Sequence, residues 1–131
     1  MIDANSPCPC GSGNTYTACC ELYIDGGIAA PNAELLMRSR YCAYTLGRED
    51  YLLATWHAGT RPARLGLAQG PAVKWLGLEV KRHQSDPEDA DRAVVEFVAR
   101  HKVGGRAQRL HEVSRFVREN GRWFYVDGDI A

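Results

Sequence analysis

Apolar residues follow a helical rhythm in the first half of the chain and a strand rhythm in the second. The spacing predicts a helix over 31–47: Asn32 suits its cap, Glu34 its first turn and Gly47 its stop. Leu35, Ser39, Cys42 and Leu46 would line one face, and Met37, Tyr41 and Tyr44 a neighbouring one. A second, short helix is expected from Asp50, carrying Leu52, Leu53 and Trp56. A third is expected from Thr60 as cap, with Pro62 in its first turn, to Gly70.

Period two begins at Trp75, where Leu76, Leu78 and Val80 share a face. Asp86 to Asp91 reads as an acidic loop, after which Ala93, Val95, Phe97 and Ala99 alternate with Val94, Glu96, Val98 and Arg100. Gly104-Gly105 reads as a turn, and Asn120-Gly121 as a tight hairpin before Trp123-Phe124-Tyr125-Val126. Leu110 to Val117 fits a helix through Leu110, Val113 and Val117, or a strand through either alternate set; the Asn-Gly signal favours the strand. Helices followed by strands indicate an α+β domain with helices packed on one sheet face.

Composition narrows the class. With 131 residues, 45% hydrophobic and 24% charged, the chain is long enough for one domain with its own core and a small appendage. Sixteen basic residues cancel sixteen acidic ones, which argues against a strongly basic nucleic-acid binder. The balance is local as well. The first basic residue is Arg38, so the first 37 residues carry −4 and the remainder +4. No apolar run approaches the ~20 residues of a membrane helix. Met1 to Pro7 has neither a basic start nor an apolar stretch, so no export signal and a cytoplasmic location are expected.

The cysteines carry the clearest chemistry. Cys8, Cys10, Cys19 and Cys20 fall within thirteen residues in the order C-x-C-x8-C-C, and Cys42 stands apart as a small residue suited to the core. Bridges within Cys8/Cys10 or Cys19/Cys20 would be strained, and a secreted scaffold would spread its cysteines along the chain. Four thiolates suit a tetrahedral soft-ligand ion, with structural Zn2+ the common case. Redox-active thiols and an iron–sulfur centre are the alternatives, the latter disfavoured by the spacing. Gly11 and Gly13 can let the backbone wrap the ion. Ser12 is a candidate donor to sulfur, and Tyr16 a lid over the module.

Cys8-Pro9-Cys10-Gly11-Ser12-Gly13 with Cys19-Cys20 resembles the SEC-C motif, the zinc module at the C-terminus of the bacterial preprotein translocase SecA. SecA has histidine as its last ligand, where this chain has Cys20. The SEC-C modules associated with chaperone or phospholipid binding carry lysines between the cysteine pairs. Here Asn14, Thr15, Thr17 and Ala18 stand there, and a neutral loop beside a negative metal centre disfavours anionic lipid. The module, followed by Leu36-Met37-Arg38-Ser39-Arg40-Tyr41-Cys42-Ala43-Tyr44, Thr55-Trp56-His57, Trp75-Leu76-Gly77-Leu78, Glu96 to Arg100 and Trp123 to Gly128, resembles the bacterial YchJ family. That resemblance implies a cystatin-like, nuclear-transport-factor-2-like (NTF2-like) cone, a curved antiparallel sheet wrapped against helices. The division expected is a SEC-C-like zinc module over 1–25 and an NTF2-like domain over 26–131. The family has no assigned activity.

A cone can hold a ligand, and the polar candidates for its wall are Arg40, Tyr41, Tyr44, Trp56, His57, Glu96, His111 and Glu112. Packing, capping or surface ion pairs are the plainer reading of each, and none belongs to a recognised catalytic motif. The leading expectation is a non-catalytic binding or adaptor protein whose SEC-C module docks on a protein partner. The alternative is a lyase- or isomerase-type enzyme acting on a small molecule in the cone. Weak nucleic-acid binding through Arg106, Arg109, Arg115, Arg118 and Arg122 comes third. Domains of this class pair through their sheets, which leaves a homodimer open.

Overall fold

The computed structural model describes residues 5–67, 70 and 72–131. The described chain forms α1 (Glu21–Ile24), α2 (Ala33–Leu46) and α3 (Glu49–Ala54), then β1 (Val73–Asp86), β2 (Asp89–Val103), β3 (Arg106–Glu119) and β4 (Arg122–Ile130). The four strands form one antiparallel meander in the order β1-β2-β3-β4. The architecture is α+β, helices first and sheet second.

α2 owes its limits to both caps. Asn32 Oδ1 accepts a hydrogen bond from the Leu35 amide at 2.8 Å, and Gly47 closes the helix in the left-handed region at φ 70°. After Gly47, the Arg48 amide donates a hydrogen bond back to the Ala43 carbonyl. The helix is buried over most of its length through Ala33, Leu36, Met37, Arg40, Tyr41, Cys42 and Ala43, while Leu46 in its last turn is exposed. That breadth exceeds a single stripe because the N-terminal cysteine segment and the sheet both pack on it.

The pairing of β1 with β2 slips at Trp75/Gly77, Val80/Arg82 and Ser85/Asp86, and that of β3 with β4 at Arg115/Phe116. Such irregularities bend and twist strands. The sheet curls accordingly, and α2 touches β1, β2 and β4 from its concave side. Ala93, Val95, Phe97 and Ala99 of β2 and Phe116 of β3 enter the core there, with Trp123 of β4.

Several elements differ from the sequence-based expectation. Residues 60–67 are not helical, and 68 and 69 lie outside the described residues. The Glu49 carboxylate captures the amides of Leu65 (3.2 Å) and Leu67 (3.0 Å), and Gly66 turns at φ 70° between them. Amides taken by a side chain cannot serve a helix ladder. Trp56 lies beyond α3 rather than within it. It forms a parallel bridge with Tyr125, in which His57 N donates to Tyr125 O at 2.7 Å and Tyr125 N to Thr55 O at 2.8 Å. Within the acidic stretch 86–91 only Pro87 and Glu88 turn, the strands reaching Asp86 and Asp89 on either side. Leu110 to Val117 is strand throughout. Asn120 (φ 52°) and Gly121 (φ 76°) form the expected hairpin, both in the left-handed region that the mirror-image turn needs.

Candidate functional site

The segment before α1 is short on ordinary core and rich in turns. Cys8 N donates to Asn14 O (2.9 Å), Gly11 N to Cys8 O (3.1 Å) and Tyr16 N to Ser6 O (2.9 Å), so Cys8 to Thr15 folds back as a knuckle. A turn through Cys19 N to Tyr16 O (3.0 Å) leads into α1, with Cys20 at its N-cap position. The knuckle and the start of α1 bring together sulfurs that lie up to twelve positions apart in sequence. The Sγ atoms of Cys8, Cys10, Cys19 and Cys20 all lie within 4.8 Å of one another, every one of the four residues is buried, and none forms a disulfide. Four close thiols can hold a metal ion.

Ser12 Oγ stands 3.2 Å from Cys19 Sγ, within hydrogen-bond reach of it. Gly11 (φ 77°) and Gly13 (φ 92°) both take the left-handed backbone of the knuckle. The Gly11 amide serves the Cys8 carbonyl rather than a sulfur. Tyr16 is buried over the module; burial first, and then the negative charge of Asp25, push its hydroxyl up to about 12.

Charge among the thiols is shared unevenly. Hydrogen bonding from Cys20, then from Cys42 and Cys8, holds Cys10 far below the usual thiol range. The same contact with Cys10 pushes Cys20 far above it. A cation bound among the four sulfurs would take over the role of these shared protons. Arg38 of α2 adds positive charge at the rim: Nη1 donates to Cys10 O at 2.8 Å while Nε pairs with Glu34 at 3.0 Å.

The fifth thiol belongs to this centre. Cys42, a helix residue with no neighbouring cysteine in sequence, places its Sγ 3.4 Å from Cys8 Sγ. Its burial was legible in the sequence, whereas the contact depends on how α2 packs on the knuckle. These cysteines and Tyr16 share one core cluster with Leu36, Met37 and Ala43 of α2, so the cysteine segment is built into the body of the protein.

A second feature lies between α2 and the concave sheet face. A cavity of about 250 Å3 opens there, and Arg40, Tyr41, Tyr44, Trp56 and Glu112 stand in its wall with Trp75, Phe97, Leu110, Ser114, Phe116 and Tyr125. Arg40 Nη1 donates to Leu52 O (2.8 Å) and Thr55 Oγ1 (2.6 Å). Glu112 accepts from the hydroxyls of Ser114 and Tyr125. Burial first, and then the Glu112 charge, push the Tyr125 hydroxyl above its usual range, which keeps it a donor.

The other three candidates lie elsewhere, so the pocket reading narrows. His57 follows Trp56 with the opposite orientation; its Nε2 meets Glu119 Oε2 at 3.0 Å and its Nδ1 accepts from the Gly59 amide at 3.0 Å. Glu96 and His111 alternate with cavity residues on their strands and therefore occupy the opposite sheet face. They pair there at 2.7 Å, and the His111 hydrogen bond holds Glu96 below the usual carboxylate range. Tyr125 and Ser114 complete the polar wall; Ser114 was not singled out from sequence, though it shares the strand parity of Glu112.

No helix among the described residues is long and apolar enough to cross a membrane. Residues 5–22 match the model of the SEC-C motif, and residues 32–128 match that of the YchJ middle NTF2-like domain. A UPF0225 protein of Chromobacterium violaceum is 57% identical over 130 residues, covering 98% of this chain and 96% of the relative. Among solved structures, the solution structure of a SEC-C motif containing protein from Rhodopseudomonas palustris superposes with a TM-score of 0.84 at 35% identity, covering 95% of this chain and 98% of that one. The crystal structure of a SEC-C motif containing protein from Psychrobacter arcticus gives 0.80 at 28% identity, covering 100% and 86%. A cysteine knuckle on an NTF2-like body, matched along nearly the whole chain by these relatives, means that the chain belongs to the YchJ (UPF0225) family.

Proposed function

We propose that the protein is a zinc-structured, non-catalytic binding protein, in which one Zn2+ on Cys8, Cys10, Cys19 and Cys20 holds the knuckle against α2. The convergence of these four buried sulfurs is the observation that carries the reading. Its dimensions suit zinc. A Zn–S bond of ~2.3 Å at tetrahedral angles puts sulfurs about 3.8 Å apart, and Cys10–Cys19 and Cys19–Cys20 stand at 3.7 and 3.9 Å. Four protein ligands close the coordination sphere, leaving no position for a reacting water. The metal's contribution is therefore structural: it supplies the order that a core-poor segment lacks.

The exposed, uncharged positions Gly13, Asn14, Thr15, Thr17 and Ala18 present the rigid knuckle to solvent, which supports docking on a protein partner. Nucleic-acid binding is less well supported. Arg115 is engaged by Asp127 and Asp129, and Arg118 by Asp91, so two of the five arginines in the supposed stripe already meet carboxylates.

The test is metal content with thiol counting. The native protein should hold one zinc per chain and show no fast-reacting thiol among the four ligands, and chelation should release the metal and expose all four. Metal-free native protein with freely reactive Cys8, Cys10, Cys19 and Cys20 would overturn the reading and favour redox-active thiols.

A further inference from the structure

Arg40 carries a full charge into the cavity wall while only 5% exposed. Its Nη1 is satisfied by Leu52 O and Thr55 Oγ1, and its guanidinium carbon lies 4.7 Å from the Tyr125 ring centroid and 5.2 Å from that of Trp56. Among the described residues, no carboxylate oxygen comes within 4.0 Å of it, so the Glu112 charge reaches it only across the cavity, and Nε and Nη2 have no hydrogen-bond partner. A buried cation is normally paired, because leaving it unpaired forfeits its hydration without return. Ring faces and two neutral acceptors recover only part of that loss. What remains is a pair of donors with the fork geometry that fits a carboxylate.

Glu112 supplies the complementary end. The hydroxyls of Ser114 and Tyr125 both reach Oε2, and Oε1 has no partner among the described residues. A second anion is repelled there, but a neutral O–H or N–H is welcome. The remaining wall is largely aromatic, through Trp56, Trp75, Phe97 and Phe116. The volume of about 250 Å3 is roughly that of eight waters in the liquid, enough for a single ring.

We propose that the cavity binds a small aromatic carboxylate, with the ligand carboxylate on Arg40 and an uncharged donor, such as a phenolic hydroxyl, directed to Glu112. The inference is independent of the metal reading, because none of these residues touches the cysteine centre.

The experiment uses the full, metal-loaded chain and three probes of one shape: 4-hydroxybenzoate, benzoate and 4-hydroxybenzamide. Binding is followed by tryptophan fluorescence and by amide and indole NMR shifts. 4-Hydroxybenzoate should bind tightest and shift the Trp56 indole signal, and the amide should bind at least about tenfold more weakly, the scale of one charge-assisted hydrogen bond. Glu112→Gln should erase the advantage of 4-hydroxybenzoate over benzoate, and Arg40→Met the preference for acid over amide. Should Arg40→Met fail to fold, the acid and amide pair on the native protein still decides the point. Equal affinity for acid and amide, shifts mapping to the opposite sheet face, or no shift at millimolar acid would each overturn the proposal. Metal content measured on the same samples separates such a failure from a failure of the zinc reading.

Discussion

The Sγ of Cys42 lies 3.4 Å from the Sγ of Cys8, although 34 positions separate them in sequence. Cys42 is fully buried at the middle of α2, so this contact is where the knuckle meets the helix that also roofs the cavity. A tetrahedral ion is satisfied by four sulfurs. The fifth thiol is then best placed as a donor to a ligand sulfur, the kind of outer contact that orients ligands and tunes their basicity.

Replacing Cys42 should therefore weaken the fold without emptying the metal site. For Cys42→Ala we expect one metal per chain by elemental analysis and a loss of about 1–2 kcal/mol in urea unfolding, the range of a small buried deletion. Cys10→Ser should instead lose the metal. A metal-free Cys42→Ala protein would make Cys42 a ligand and displace one of the other four.

The cap of α2 gives a second measurement. Asn32 Oδ1 satisfies the Leu35 amide, one of the donors that a helix start leaves open. Asn32→Ala should cost about 1 kcal/mol and Asn32→Asp little, both read from unfolding curves. Equal stability of Asn32→Ala and the native protein would show that the cap contributes nothing here.

Gly128 exposes a constraint beside the cavity-wall residue Glu112. A Cβ at this position would run into the Glu112 carboxylate; Gly128 lies opposite Ser114 in the β3–β4 pair, and Glu112 is two residues from Ser114 on the same sheet face. Gly128→Ala should cost about 1–3 kcal/mol, as overpacking does. The same substitution in a Glu112→Ala background should cost much less, since the two changes share one contact. Additive losses in that double-mutant cycle would locate the clash elsewhere.

These features differ in how far they could be read from sequence. α2 was legible because its signals are local: a cap, an acidic first turn and a terminal glycine act within the helix itself. The cluster of four SEC-C cysteines was legible for the same reason, lying within thirteen residues. Leu110 to Val117 carried two periodicities, and pairing with β2 along its whole length decided for the strand. The cavity was partly legible. Arg40, Tyr41 and Tyr44 follow from the helix face, and Glu112 falls inward by alternation once one inward residue of β3 is known. Glu96 and His111 show the limit, because a one-residue change of parity exchanges the two sheet faces. Cys42 and residues 60–67 depend on tertiary partners, the knuckle and Glu49, which no local window contains.

Glu49 makes the last of these dependences testable by pH. The amides of Leu67 and Leu65 hold its carboxylate below the ordinary value of 4.5. A carboxylate with a lowered folded pKa stabilises the native state above its unfolded value, and that contribution is lost as pH falls through the folded value. The Leu65 and Leu67 amide proton shifts should therefore stay constant from neutral pH down to the ordinary carboxylate range, then move together below it, with a midpoint under 4.5. Because the group is solvent-facing, the effect on global stability should be small and the local shift large. Glu49→Gln should abolish the titration, and rising salt should change it little, since the contacts are hydrogen bonds rather than an ion pair. Titration of both amides in Glu49→Gln, or a midpoint above 4.5, would show that another group anchors residues 60–67.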